Sequence, residues 1–229
     1  FTTLPFALKD LGWDKASHWQ IYLPATVIGL VLMIPAIIIG ETRNKLKPVF
    51  LLGIGLTTAA QFALLGSLNA AWLIGLSLVV YFIGFNILEA SMPSLVSKIA
   101  PSDLKGTAMG VYNTLQSVGV FSGGIIGSRL YAQYGFGGVF VFCGAIGMAW
   151  FALAARAPAP KPVKNIMFAV PPAWQGDLGS LKTAIQTTAG VESIAFSHDN
   201  QTLFIKALQQ GFDEAAIQTI LSTGANKCL

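Results

Sequence analysis

The sequence predicts an all-α bundle of membrane-spanning helices followed by a small α+β domain. Three observations predict it. The 229 residues are 54% hydrophobic and only 10% charged, with mean hydropathy +0.64, whereas soluble domains carry roughly a quarter charged residues. Five long apolar runs, at 19–39, 48–68, 71–96, 107–128 and 136–155, hold almost no charge. After a proline-rich stretch near residue 157 the texture changes to short strand-like and helix-like segments.

Crossing ~30 Å of hydrocarbon takes roughly 20 helical residues, and each of the five runs is that long. Backbone groups without partners in lipid cost several kcal/mol, so a spanning run is a helix or a strand of a closed barrel. These runs are too long and too evenly apolar for barrel strands. The chain starts at Phe1 with the apolar fragment "FTTLPFAL", and the odd number of spans suggests a piece of a longer protein. Pro24 and Pro35 in the first run and Pro93 in the third are expected to kink or locally open their helices. Gln61, alone in the second run, is assigned to packing.

Basic residues gather in alternate connections: Arg43, Lys45 and Lys47, then Lys98 and Lys105, then Arg156, Lys161 and Lys164. The intervening connections carry little beyond Arg129. The positive-inside rule therefore puts the three basic connections in the cytoplasm, with the chain beginning outside and ending inside. The net charge of +4 and pI near 9.1 are accounted for by topology, so no nucleic-acid partner is implied.

The stretch "RAPAPKPVKN" reads as a semi-rigid extended linker over 157–165, separating a membrane region, 1–156, from a domain at 166–229. In that domain "NIMFAV" is strand-like and 177–188 helix-like, with Leu178, Leu181 and Ile185 on one face. "VESIAFS" and "TLFIKAL" flank the turn "HDNQ", and 212–221 is a second helix. The order β-α-β-β-α is a ferredoxin-like split unit lacking, or barely forming, its last strand. Lys182, Lys206 and Lys227 are outnumbered by Asp177, Glu192, Asp199, Asp213 and Glu214, which disfavours nucleic-acid binding. The loop "VPPAWQG" offers no soft ligand where modules of this size often carry a metal. A docking or regulatory role is expected, with no metal and no cofactor.

Polar residues inside the runs carry the functional signal. At 100° per residue, Gly106, Asn113, Gln116, Gly119, Gly123 and Gly127 share one stripe of about 140°, opposite Val111, Leu115, Val118 and Ile125. Small residues four apart let another helix approach closely, and amides find partners across such contacts. The glycines are expected to serve packing. Asn113 and Gln116 either pack or line a solute path. Asn86, Glu89 and Pro93 fall on one face of the third run. A carboxylate at membrane depth is costly and raises ion or proton handling as a hypothesis. Counted from Ala71, Glu89 lies about 27 Å along the helix, so a rim carboxylate paired with a loop Lys or Arg is the competing reading.

Cys143 and Cys228 stand far apart and imply neither a disulfide framework nor a metal site. His18 and His198 have no nucleophile or ligand spacing around them, so no enzyme is expected.

The segment "LEASMPSLVSKIAPSDLKGTAMGVYNTLQSVGVFSGGIIGSRLY" resembles the tenth and eleventh spans of major facilitator superfamily transporters, particularly the YajR-like drug-efflux type ending in a small ferredoxin-like (YAM) domain. Pro93, Lys105, Gly106, Gly110 and Asn113, with the C-terminal module, carry the likeness. It covers the whole chain: the end of span seven, spans eight to twelve, linker and module. The resemblance implies the C-terminal half of a two-half fold that rocks around a central cavity, in a bacterial inner membrane with a cytoplasmic C-terminus. The other partners it implies are an N-terminal six-helix half, a small-molecule substrate and protons, and about seven spans would precede Phe1. On cavity-type spans it places Tyr22, Asn86, Glu89, Asn113 and Gln116. The family's charged loop has its relative in "GETRNKLKP", with Gly40, Glu41, Arg43, Lys45 and Lys47; the compact Asp-Arg-x-Gly-Arg form is absent. The expected function is proton-coupled efflux of small amphipathic compounds by alternating access. A membrane-anchored sensor whose spans only hold the cytosolic module is the alternative.

Overall fold

In the computed structural model, residues 4–10, 12–67, 70–101, 104–159, 163–197, 199–208 and 211–223 are described. Lys161, His198, Lys227, Cys228 and any last strand of the C-terminal domain lie outside them. The chain forms two compact units: residues 1–95 with 111–159, and 96–110 with 160–229.

The first unit is helical throughout. After a short α1, Leu4–Asp10, come α2, Trp19–Thr42, α3, Leu46–Ser67, α4, Ala71–Ile99, and α5, Lys105–Arg156; the ends of α4 and α5 that flank residue 100 belong to the second unit. Each of α2 to α5 is long and apolar enough to cross a membrane. The five expected runs thus occupy four helices. The 52 residues of α5 would measure about 78 Å if straight, far beyond a bilayer. Gly135, at φ 62 and ψ −158, divides them into arms of 105–134 and 136–156. That conformation is open to glycine and strained for other residues, whereas nothing from Arg129 to Tyr134 breaks a helix. Helices α2 and α4 continue unbroken past Pro24, Pro35 and Pro93.

Over its most apolar stretch α4 is the most covered of the four long helices, and α5 the least. Helix α4 owes that position to glycines that let backbones meet. A β-carbon on Gly29 of α2 would stand 2.7 Å from Cβ and 2.9 Å from the backbone carbon of Phe82 in α4. One on Gly84 of α4 would stand 2.8 Å from the Gly53 carbonyl oxygen and the Thr57 nitrogen of α3. Around these crossings Leu4, Leu8, Ala25, Leu64, Ile74, Leu78, Phe82 and Phe140 form the core. The second arm of α5 lies antiparallel on α3: Gly144 faces Phe62, at 2.7 Å from a built Cβ, Gly55 faces Phe151, and Phe50 meets Trp150 edge to face at 5.7 Å.

Side chains flanking the first connection hold helix ends together. Glu41 Oε1 accepts a hydrogen bond of 2.7 Å from Ser94 Oγ of α4. Lys47 Nζ donates to the carbonyls of Ala155, at 2.9 Å, and Ala157, at 2.5 Å. The ends of α2, α4 and α5 and the start of α3 therefore gather on one side, as the alternation of basic connections requires.

The second unit contains the C-terminal module: β1, Val163–Ala169, α6, Leu178–Gln186, β2, Val191–Phe196, β3, Thr202–Leu208, and α7, Glu214–Thr223. Its antiparallel sheet has the order β1-β3-β2, the arrangement of a split β-α-β-β-α unit. Strand β1 begins at Val163, opposite Leu208, inside the stretch expected as linker. Asp177 caps α6 through a 3.1 Å bond from Ser180 N, a contact typically worth about 1 kcal/mol. Leu181, Ile185, Leu203, Ile205, Ala207, Ile217 and Leu221 close the core between the helices and one sheet face.

The close approaches in the first unit give a direct test. Gly29→Ala should lower membrane-protein stability by about 1–3 kcal/mol through overpacking against Phe82, read as a lower unfolding temperature in detergent. Gly66→Ala, where a built Cβ meets nothing within 4 Å, is the control. Equal stability of the two variants would mean that α2 and α4 are not in backbone contact.

Candidate functional site

The polar residues of the spans converge where α2, α4 and the first arm of α5 carry them. Gly29 brings the α2 backbone to Asn86: its built Cβ would lie 3.1 Å from Asn86 Nδ2. That amide nitrogen is buried and has no hydrogen-bond partner among the described residues. A buried unpaired donor costs about 1–3 kcal/mol.

One turn further along α4, Glu89 is exposed. Its Oε1 accepts a hydrogen bond of 3.0 Å from Gln116 Nε2 on α5. Bonds to a charged acceptor are roughly twice as strong as neutral ones. Of the two readings of Glu89, the rim pairing with a loop Lys or Arg is absent among the described residues. The carboxylate takes an amide from the neighbouring span.

Asn113 lies three residues before Gln116 on the same exposed helix face, and its backbone carbonyl accepts from Ser117 Oγ at 3.0 Å. Tyr22 stands apart, half-buried against the core, seven residues or about 10 Å along α2 from Gly29; its carbonyl accepts from Thr26 Oγ1 at 2.8 Å. Gly106, Gly110, Gly119, Gly123 and Gly127 would each meet nothing within 4 Å with a Cβ added. Within this chain the stripe is an open face, and the tight helix contacts are made by Gly29, Gly84 and Gly144 instead.

In the charged loop, Gly40 is buried against Val49, 3.3 Å from a built Cβ, and Glu41 and Lys47 make the ties described above. Arg43 closes α2 through its backbone N–H to Ile39 O. Lys45 N bonds Gly40 O at 2.8 Å, across Asn44 in the left-handed region at φ 52. Gln61 lines a cavity of about 130 Å³ with Leu78, Tyr81, Phe140 and Cys143, which is smaller than the usual ligand pocket of several hundred Å³.

Two residues of this region escaped sequence reasoning. Tyr112, one helical turn before Gln116, has a buried hydroxyl with no partner among the described residues, and Ser94 ties α4 to Glu41. The i−4 spacing from Gln116 was the available signal for Tyr112. For Ser94 there was none.

A carboxylate, three side-chain amides and a phenol on adjacent spans can hydrogen-bond a polar solute and hold or pass a proton. They contain no nucleophile with an adjacent base.

The Major Facilitator Superfamily profile matches residues 1–124. The chain is 31% identical over 206 residues to the inner membrane transport protein YajR of Escherichia coli K12, covering 90% of this chain and 45% of that protein. It is 29% identical over 160 residues to an uncharacterized transporter of Buchnera aphidicola, covering 66% of this chain and 39% of the relative. With the riboflavin transporter RibZ of Clostridioides difficile it shares 28% over 162 residues, 69% of this chain and 35% of the relative. The chain thus spans less than half the length of these relatives. With four membrane-length helices, a matching profile over more than half its length and YajR as a relative, the chain belongs to the Major Facilitator Superfamily of membrane transporters.

Proposed function

We propose that this chain forms the C-terminal half of a proton-coupled exporter of small amphipathic compounds, working by alternating access. The observation that carries the reading is the hydrogen bond between Glu89 of α4 and Gln116 of α5. Lipid is no environment for an ion and its amide partner, so that exposed face is best explained as turned toward solute or toward the rest of the transporter. The open stripe from Gly106 to Gly127 supports the same assignment, since it suits close approach by a further helix. An N-terminal six-helix half, in the part of the relatives' length that this chain does not span, is the proposed occupant. One relative is named for riboflavin, a compound with a flat ring system, apolar at one edge and polar at the other, and a polar chain. That is compatible with a path lined by amides, a phenol and apolar side chains.

In this reading Asn86, Asn113 and Gln116 bind polar groups of the solute, and Glu89 exchanges its amide partner for a proton as the two halves rock. The basic connections lie in the cytoplasm by the positive-inside rule, so the C-terminal module is cytoplasmic in a bacterial inner membrane. Tyr22 belongs to the wall of the core and touches solute only if α2 turns.

Replacing Asn113 and Gln116 together by Leu in the full-length transporter should abolish export while the protein still inserts at normal abundance. Were the spans a mere anchor for a sensor module, the double variant would keep its output, and retained export would remove both amides from the path. Proton coupling is tested separately. Glu89→Gln keeps an acceptor for Gln116 and removes the titratable group. Substrate flux in vesicles should then stop following an imposed pH gradient, and flux that still follows the gradient would exclude Glu89 as the coupling group.

A further inference from the structure

One face of the module's sheet is packed against α6 and α7; the other carries a buried lysine. Along β3, Leu203, Ile205 and Ala207 point into the core. Alternation in a strand sends Phe204 and Lys206 to the opposite face, which a three-stranded sheet with helices on one side ordinarily leaves to water. Cross-strand neighbours agree: Met167 pairs with Phe204 and is 68% exposed. Lys206, two residues further along β3, is only 5% exposed. Lysine is almost never fully buried without partners, so its surroundings require an explanation.

The partners are backbone carbonyls a hundred residues away. Lys206 Nζ donates to Ala100 O at 3.1 Å and approaches Ile99 O at 3.4 Å. Helix α4 ends at Ile99, so these are two of the carbonyls that a helix C-terminus leaves unsatisfied. Pro101 follows directly and has no N–H with which to continue the ladder. A cation at this position also meets the negative end of the helix dipole. Residues 96–110 belong to the same compact unit as the module.

We propose that the open face of the module's sheet is a docking surface for the 96–110 connection, with Lys206 as its pin on the end of α4. The partner surface is thus a segment of this same chain: the C-terminal turn of one membrane helix and the first turn of the next. The connection contains the last residues of the helix bearing Glu89 and the first residues of the helix bearing Gln116, so a docked module holds both. The docking does not depend on the transport reading.

The charges around the pin supply a gain-of-contact test. Burial pushes the Lys206 amine below the ordinary lysine range; Glu192 acts to raise it and Lys105 to lower it further. Lys105 opens α5 and is the unfavourable neighbour.

Hydrogen–deuterium exchange of the full-length protein in lipid nanodiscs reads the contact at peptides covering 96–104. Lys206→Met should speed exchange there about tenfold, the loss expected for one hydrogen bond from a charged donor. The β1 and β2 peptides should be unchanged, and Lys206→Arg, which keeps a donor, should stay near wild type. Lys105→Glu, which leaves the module's own sequence intact, should slow exchange at 96–104 and along β3. Wild-type exchange at 96–104 in Lys206→Met would overturn the proposal. If Lys206→Met loosens the whole module, Lys105→Glu decides: added protection supports docking, and none overturns it.

Discussion

The spans of this chain depend on backbone contact between α4 and its two neighbours. At Gly29 and Gly84 no β-carbon fits between the helices, so α4 is seated by main-chain surfaces rather than by long side chains. Lipid tails are as apolar as leucine, which removes the hydrophobic effect as a force between spans and leaves van der Waals packing and interhelical hydrogen bonds. Small residues at crossing points maximise the first. They also fix the rotation of α4 about its axis, and that rotation decides that Asn86 faces α2 while Glu89 reaches α5.

Length and composition made the spans legible. A run of about 20 apolar residues has few fates, because unpaired backbone in lipid is so costly. The module was legible for a different reason: strand and helix periods alternate cleanly, and its helices show an apolar face such as Leu178, Leu181 and Ile185. The join within α5 was not. The stretch 129–134 has the polar residues of a connection yet no helix breaker, so helix persists to Tyr134 and only Gly135, with φ 62, interrupts it. The prolines end neither helix: α2 and α4 run on past them.

The site was partly legible. Glu89 and Gln116 stand out as polar residues in apolar runs, but their pairing depends on helix rotation, which no periodicity within either helix specifies. The glycines show the limit most clearly. A repeat of four marks Gly119, Gly123 and Gly127, where a built Cβ meets nothing within 4 Å. Gly29 and Gly84 belong to no such repeat, yet each faces a backbone at less than van der Waals distance from a built Cβ. A single crossing needs a single small residue, and one glycine among many apolar residues carries no pattern.

The basic residues mean more than topology. Lys47 donates to the carbonyls of Ala155 and Ala157 at the end of α5, and Lys206 to those of Ile99 and Ala100 at the end of α4. Helix termini leave four carbonyls each without intrahelical partners, and in a membrane protein those at the water boundary concentrate the negative end of the dipole. A lysine satisfies both demands with one flexible donor whose stem can lie on apolar surface. A positive charge retained on one side of the membrane for insertion can therefore also finish a helix there. The two uses coincide only at helix C-termini, such as that of α5 where Lys47 donates; Lys105, at the start of α5, has no such role.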